Sequence, residues 1–289
     1  MLFLLLAIIT SSGIFVSFKY LEKYRIDILS AIIINYLAAT LLGITLSGNN
    51  ISLPLIQTAP WLEMALLIGF LFIVMFFIIG LSTQKTGIAV TTLASKMSFV
   101  IPMLFSLIYY NETVSSSKIL GFVMGTAAVG LAVIKKRNLK NRNEQYYWLP
   151  LLLFFGAGVV DSLVKYAQDL YLKDQGSSQF STILFAVACL SGIICQTFRK
   201  GKLKLLLHPQ TLLGGSILGI FNFGSLYFLI ASLNSSGFDS SIVFSIINMG
   251  IVSLSLIIGI SLFREKLTFI NIIGVVLAFI ATFILTNFA

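Results

Sequence analysis

Ten uninterrupted apolar runs, each close to a bilayer's width, constrain this chain more than any other feature. They span Leu2 to Tyr20, Ile28 to Ser47, Trp61 to Leu81, Gly87 to Tyr110 and Ser116 to Ile134. After a basic linker come Tyr147 to Tyr171, Gln179 to Phe198, Gln210 to Ser232, Phe238 to Phe263 and Leu267 to Asn287. A bilayer-spanning helix needs ~20 mostly apolar residues. Ten of them consume about 200 positions and leave short loops. A membrane β-barrel is disfavoured, because its strands alternate apolar with polar positions. A soluble fold is excluded by composition. Charged residues are 10% of the chain, against ~25% in soluble domains. Hydrophobic residues make up 58% and the mean hydropathy is +1.01.

Punctuation agrees with these runs. Pro54, Pro60, Pro150 and Pro209 fall between segments or in a first helical turn, where a missing N–H is harmless. Only Pro102 lies inside a segment. Trp61 and Tyr146-Tyr147-Trp148 stand at helix starts, as interfacial aromatics do. The chain is apolar from Leu2, without a preceding basic region, which favours a first membrane helix over a cleaved signal peptide. Cys189 and Cys195 lie six apart on one segment and point to different faces, so neither a disulfide nor a metal site is expected.

The net charge of +9 reports loops rather than nucleic acid, since no folded basic domain remains outside the helices. Assigning loops alternately to two faces places 14 Lys/Arg on one and two on the other. The rich face carries Lys23, Arg25, Lys85, the Lys135–Arg142 linker, Arg199 to Lys204, Arg264 and Lys266. The poor face carries Lys118 and Lys173. The rich face is therefore expected in the cytoplasm, with both termini outside.

The chain also repeats. Glu112, Ile119, Gly121 and Val123 match Glu265, Ile272, Gly274 and Val276 at one constant offset. Lys19-Tyr20 and Lys165-Tyr166 close corresponding first helices. Each half holds five helices, an odd number, so the halves enter the membrane in opposite senses. Inverted repeats of this kind are a recurring build of secondary transporters. The expected architecture is all-α: ten transmembrane helices as two inverted five-helix repeats, residues 1–140 and 141–289.

With this five-plus-five pattern, the turns Asn111-Glu112-Thr113 and Arg264-Glu265-Lys266, each followed nine residues later by Gly121 or Gly274, carry a resemblance. The chain resembles the EamA-type members of the drug/metabolite transporter superfamily over essentially its whole length. The resemblance implies helices around a central cavity, with helices five and ten set apart. It implies export or exchange of small metabolites, often amino acids, driven by ion or substrate gradients. The implied partners are a small-molecule substrate, the bilayer and a coupling ion or proton. The location implied is a cell membrane, crossed many times, such as a bacterial inner membrane. Uptake and nucleotide-sugar exchange are alternatives within transport. A membrane scaffold or an embedded enzyme is the alternative outside it.

No catalytic set, metal cluster or cofactor motif is legible. His208 is the single histidine, placed beside Pro209 at a helix start, and no phosphate-binding loop is present. Intramembrane charge is the sharper signal, because a lysine or aspartate at mid-bilayer costs ~2.5–3.5 kcal/mol unless partnered or wet. Lys96 lies roughly 14 Å along helix four and Asp161 about 20 Å along helix six. One reading gives Lys96 a substrate carboxylate and Asp161 a cation or proton. The other makes them a structural ion pair, or lets the lysine snorkel. Lys165 shares a face with Asp161, four residues on; it pairs with it, attracts anions near the cavity mouth, or snorkels as an anchor.

Asn35, Asn222, Asn234 and Asn248 are polar amides in or near the apolar runs. Asn222 and Asn248 are the better candidates for a cavity wall, against a purely structural role. Pro102, six residues after Lys96, is a candidate hinge. Glu112 and Glu265 read as turn anchors. Gly121-x-x-x-Gly125 and Gly215-x-x-x-Gly219 predict close helix approach. The run Phe70, Phe72, Phe76, Phe77 reads as core or lipid surface rather than an aromatic cage.

Overall fold

A computed structural model describes residues 2–47, 59–109, 116–133, 146, 148–171, 177–199, 201–235 and 240–287. Among these residues the protein is all-helical, with no strand. The helices are α1 (Leu2–Lys23), α2 (Ile28–Ser47), α3 (Leu62–Thr86), α4 (Ile88–Met97), α5 (Val100–Tyr109) and α6 (Ser116–Val133). They continue with α7 (Trp148–Tyr171), α8 (Ser177–Thr197), α9 (Pro209–Ser235), α10 (Ser240–Ser261) and α11 (Phe269–Asn287). A 3-10 helix, Leu203–Leu207, precedes α9 in the stretch between the seventh and eighth apolar runs. Six helices are long and apolar enough to cross a membrane, by length and composition, and four further apolar helical stretches are shorter. This is the make-up of a multi-pass membrane protein. Helix is what such a sequence must form in lipid, where every backbone polar group needs an internal partner.

Hydroxyl residues inside these helices are accommodated locally. Thr10 donates to the Leu6 carbonyl, Ser17 to Gly13 and Thr40 to Tyr36, each at 2.7 Å. Such bonds back to the preceding turn let Ser and Thr sit in an apolar helix.

The chain forms two compact units, each drawing on both halves of the sequence. The first comprises Met1–Lys19, Ile78–Val159 and Gly224–Ala289; the second comprises Tyr20–Phe77 and Val160–Phe223. In the first unit α4 packs on α10, and α6 packs on α11. Its core gathers Leu4, Ala7 and Phe15 of α1, Ile88 of α4, and Val243, Ile247 and Ile251 of α10. Gly121 lets α6 approach Leu285, and Gly125 lets it approach Val100.

In the second unit α2 packs on α8 and on the 3-10 helix. Gly215 and Gly219 of α9 also lie against α2. A Cβ on Gly219 would stand 2.7 Å from the Asn35 carbonyl, and one on Gly215 would stand 2.7 Å from that of Ala31. Both glycine motifs thus bring helices together within the chain. Tyr36, fully buried, donates to the Phe72 carbonyl at 3.0 Å and packs against Phe76 and Phe185. Phe72 and Phe76 therefore belong to a filled aromatic core rather than an open cage. Trp61, expected at an interface, is buried edge-on against Phe180.

The fourth segment is not one helix but two, α4 and α5, with a turn at Ser98–Phe99. The first and third segments run on to Lys23 and Thr86. Those ends are polar, and at α1 it is capping rather than hydrophobicity that stops the helix. Tyr24 to Ile26 close α1 with Arg25 in the left-handed region at φ 55, the Ile26 N–H reaching the Leu21 carbonyl at 2.9 Å. Glu112, Asp239 and the Lys135–Gln145 linker lie outside the described residues.

Candidate functional site

Proline explains the break between α4 and α5. Pro102 has no N–H for the carbonyl four residues back, which is that of Ser98. The Ile101 N–H takes that carbonyl instead, at 2.9 Å, tightening the chain into a short turn. Ser98 itself donates its hydroxyl to Ser95, at 2.6 Å. Pro102 thereby sits in the first turn of α5, where a proline is tolerated.

Lys96 is half-buried in the last turn of α4, immediately before this break. A cation there faces the negative end of the helix dipole. One turn earlier on the same face stands Thr92, fully buried, whose hydroxyl has no hydrogen-bond partner among the described residues. Ser255 of α10 is in the same condition, and α10 is the helix packed on α4. Asn248, half-buried, lies two turns before Ser255 on α10. Lys96, Pro102 and Asn248 thus belong to the first compact unit, on α4, α5 and α10.

Asp161, Lys165 and Asn222 belong to the second unit. Asp161 is exposed and Lys165 half-buried, one turn apart on α7. Asn222 is half-buried on α9, one turn beyond Gly219.

The start of α4 is held by a distant carboxylate. The Ile88 N–H donates to Glu265 Oε1 at 2.7 Å and the Ala89 N–H to Oε2 at 3.3 Å. Glu265 is thus a turn anchor, and its partner is a helix 177 positions earlier in the chain. Beside it, Lys19 Nζ donates to the Gln84 carbonyl at 3.2 Å and the Gln84 amide donates to the Phe18 carbonyl at 3.2 Å, tying α1 to α3.

A second polar cluster had no counterpart in the sequence reading. Asp27 precedes α2 and accepts both guanidinium nitrogens of Arg199, each at 2.8 Å. The Ser30 N–H and hydroxyl donate to the same carboxylate, at 3.1 and 2.9 Å. Gln196, fully buried, donates to Ser30 Oγ and to the Lys202 carbonyl. Burial alone raises the Asp27 carboxyl, but the Arg199 and Ser30 hydrogen bonds outweigh it and hold the pKa below the ordinary carboxylate value. The Asp27-x-x-Ser30 spacing is a helix N-cap signature and is the signal that marks this residue. Nothing in the sequence marks Arg199 as its partner.

Asn35 also stands out. It is fully buried on α2, and neither amide atom has a hydrogen-bond partner among the described residues. His208 is exposed, and its carbonyl accepts the Thr211 and Leu212 N–H groups to begin α9. Cys189 is buried and Cys195 exposed, both as free thiols.

No family model matches the chain. It is similar to an uncharacterized protein of Haemophilus influenzae, 27% identical over 293 aligned positions. The match covers 98% of this chain and 96% of that protein.

Proposed function

We propose that the chain is a ten-helix secondary transporter of the EamA-type drug/metabolite kind. It exports or exchanges a small polar metabolite, such as an amino acid, by alternating access across a cell membrane, a bacterial inner membrane in the simplest case. Two five-helix repeats of opposite sense form it, and both termini face outside.

The observation that carries this reading is which helices pack together. Counting the ten segments in order, α2 and α8 are the second and seventh, α4 and α10 the fourth and ninth, and α6 and α11 the fifth and tenth. Each pair consists of equivalent members of the two halves, and each pair is in contact. A two-fold relation between repeats brings equivalents together in this way. The boundaries of the compact units add support. Two of the four, after Phe77 and after Phe223, lie 146 positions apart, the offset that relates Lys19 to Lys165.

Within that frame Lys96 is the leading substrate contact. It places a cation inside an apolar helix, beside a proline-induced break and on the face of a buried, unpartnered threonine hydroxyl. A membrane cation in such a setting marks a binding site for an anionic group, here a substrate carboxylate. Asp161 then serves a cation or proton, with Lys165 as its charge partner one turn on. Asn222 and Asn248 line the path, and Pro102 is the hinge.

The test is flux. Metabolites in the medium of cells over-expressing or lacking the protein identify the substrate, and purified protein in liposomes then moves it down an imposed gradient. A C-terminal alkaline phosphatase fusion is active if the C-terminus is outside. Absence of substrate-specific flux across a panel of metabolites, with well-folded protein in the liposomes, sinks the proposal.

A further inference from the structure

We infer that the segment between α8 and α9 is a binding surface for anionic phospholipid headgroups, with the 3-10 helix Leu203–Leu207 lying in the membrane interface. The inference is independent of the transport reading and needs only that α8 and α9 cross the bilayer.

Position comes first. α8 ends at Thr197 and α9 begins at Pro209, and both are long and apolar enough to span a membrane. The residues between them are too few to leave the membrane surface by far. They are nevertheless rich in large apolar side chains that the protein does not cover. Phe198 is 82% exposed, Leu207 78% and Leu203 46%. A loop meant for water has no use for three such groups in eleven positions.

The segment is not loosely attached. The 3-10 helix packs on α2, with Leu205 and Leu206 half-buried. The residue that caps its start is fixed by the Gln196 amide on the Lys202 carbonyl at 3.0 Å, and the chain before it by the Arg199–Asp27 pair. Leu205 and Leu206 are thus partly covered by the protein, while Phe198, Leu203 and Leu207 stay uncovered. Cations accompany them. Lys204 is exposed, and Lys202 keeps 46% of its side chain exposed although its ammonium lies 3.7 Å from Asp27. On the neighbouring α1–α2 turn, Lys23 and Arg25 are exposed, with Glu22 the nearby acid. Tyr24 is 58% exposed, with the Lys23 ammonium over its ring.

Uncovered apolar side chains interleaved with lysines form the pattern of a surface seated at the acyl–headgroup boundary. The long lysine stems let the ammonium groups reach the phosphates. The excess of cations makes the complementary headgroup anionic, such as phosphatidylglycerol, rather than zwitterionic.

The test uses the full chain in lipid nanodiscs, made of phosphatidylcholine alone or with phosphatidylglycerol added. A nitroxide is attached through Leu203→Cys or Leu207→Cys, with Cys189→Ala and Cys195→Ala to remove the native thiols. Both labels should be more accessible to oxygen than to a water-soluble nickel chelate, and more so when phosphatidylglycerol is present. In parallel, native mass spectrometry of unlabelled protein should show phosphatidylglycerol retained over phosphatidylcholine. Lys202→Gln and Lys204→Gln should each cut that preference about fivefold. Lys204→Gln is the cleaner variant, because Lys202 also touches Asp27. Water-like accessibility at both labels in both lipids overturns the inference. So does a lipid preference unchanged in the doubly substituted protein.

Discussion

Glu265 and Ile88 are joined end to end: the carboxylate that closes the α10–α11 turn accepts the first N–H of α4, at 2.7 Å. Two glycines make room for it. A Cβ on Gly87 would stand 2.9 Å from the carboxylate, and one on Gly259 would stand 2.7 Å from Oε2. Gly87 also has φ 106 and ψ 163, a region that only glycine enters readily. Glu265→Ala leaves two helix N–H groups without acceptors, a loss of about 1–2 kcal/mol. Glu265→Gln keeps one acceptor and loses mainly the charge–dipole attraction, about 0.3–1 kcal/mol. Gly87→Ala combines backbone strain with a clash against the same carboxylate and should match Glu265→Ala or exceed it. Thermal unfolding in detergent gives the order. Equal losses for Glu265→Gln and Glu265→Ala would show that charge, not hydrogen bonding, holds the joint.

The Asp27–Arg199 pair carries a pH signature. The folded pKa of Asp27 lies below its unfolded value, so the stabilisation is present above the unfolded value of ~3.9. It is lost as pH falls through the folded pKa. Asp27→Asn should lower stability at neutral pH by about 1–3 kcal/mol, as expected for a half-exposed, charge-assisted pair. The gap between wild type and Asp27→Asn should stay constant from neutral pH down to about 5 and close below about 4. Thermal midpoints of both proteins across that range decide it. A gap that persists into strong acid assigns the loss to packing instead.

Glycines in equivalent-looking settings should respond in opposite directions. A Cβ on Gly219 meets the Asn35 carbonyl at 2.7 Å and Ala38 Cβ at 2.8 Å, a backbone atom and a Cβ fixed to the backbone, neither of which can step aside. Gly219→Ala should separate α2 from α9 and destabilise by about 1–3 kcal/mol. Gly130, inside α6, has nothing within 4 Å of where its Cβ would be. Gly130→Ala should be neutral or stabilise, by up to about 1 kcal/mol through helix propensity. Membrane abundance and thermal stability of the two variants test the contrast, which a general intolerance to glycine replacement would abolish.

Helices were legible because an apolar run in lipid has one way to satisfy its backbone. The glycine motifs were legible for a related reason, since Gly215 and Gly219 announce a close approach whatever the partner. What sequence could not supply were partners across long separations. Asp27 marks a cap by its spacing to Ser30, but Arg199 lies 172 positions away with nothing local to select it. Glu265 was readable as an anchor and Ile88 was not readable as its target. The α4–α5 break was half legible: Pro102 predicted a disturbance, but the turn sits at Ser98, because that carbonyl is the one the proline leaves without an N–H. The 3-10 helix Leu203–Leu207 was missed because five residues are too few to display a period.

Lys96 yields the sharpest functional expectation. It is carried by α4, and Asp161, at a similar depth by sequence, is carried by α7. If Lys96 binds a substrate carboxylate, Lys96→Met abolishes flux while the protein remains near normal in abundance and thermal stability. If Lys96 and Asp161 form a structural pair, each single change strands a charge and lowers stability, and Lys96→Met with Asp161→Asn restores both stability and flux. We expect the first outcome, because Lys96 sits in the last turn of α4, immediately before the α4–α5 break and one turn from the buried Thr92 hydroxyl. The double change should then be as inactive as Lys96→Met, with stability effects that add. Lys96→Arg keeps the cation but changes its shape and donor geometry, and should retain part of the flux with altered affinity. The measurements are membrane abundance, thermal stability in detergent and flux in proteoliposomes. Unchanged flux in Lys96→Met removes Lys96 from the binding site, and rescue by the double change replaces binding with pairing.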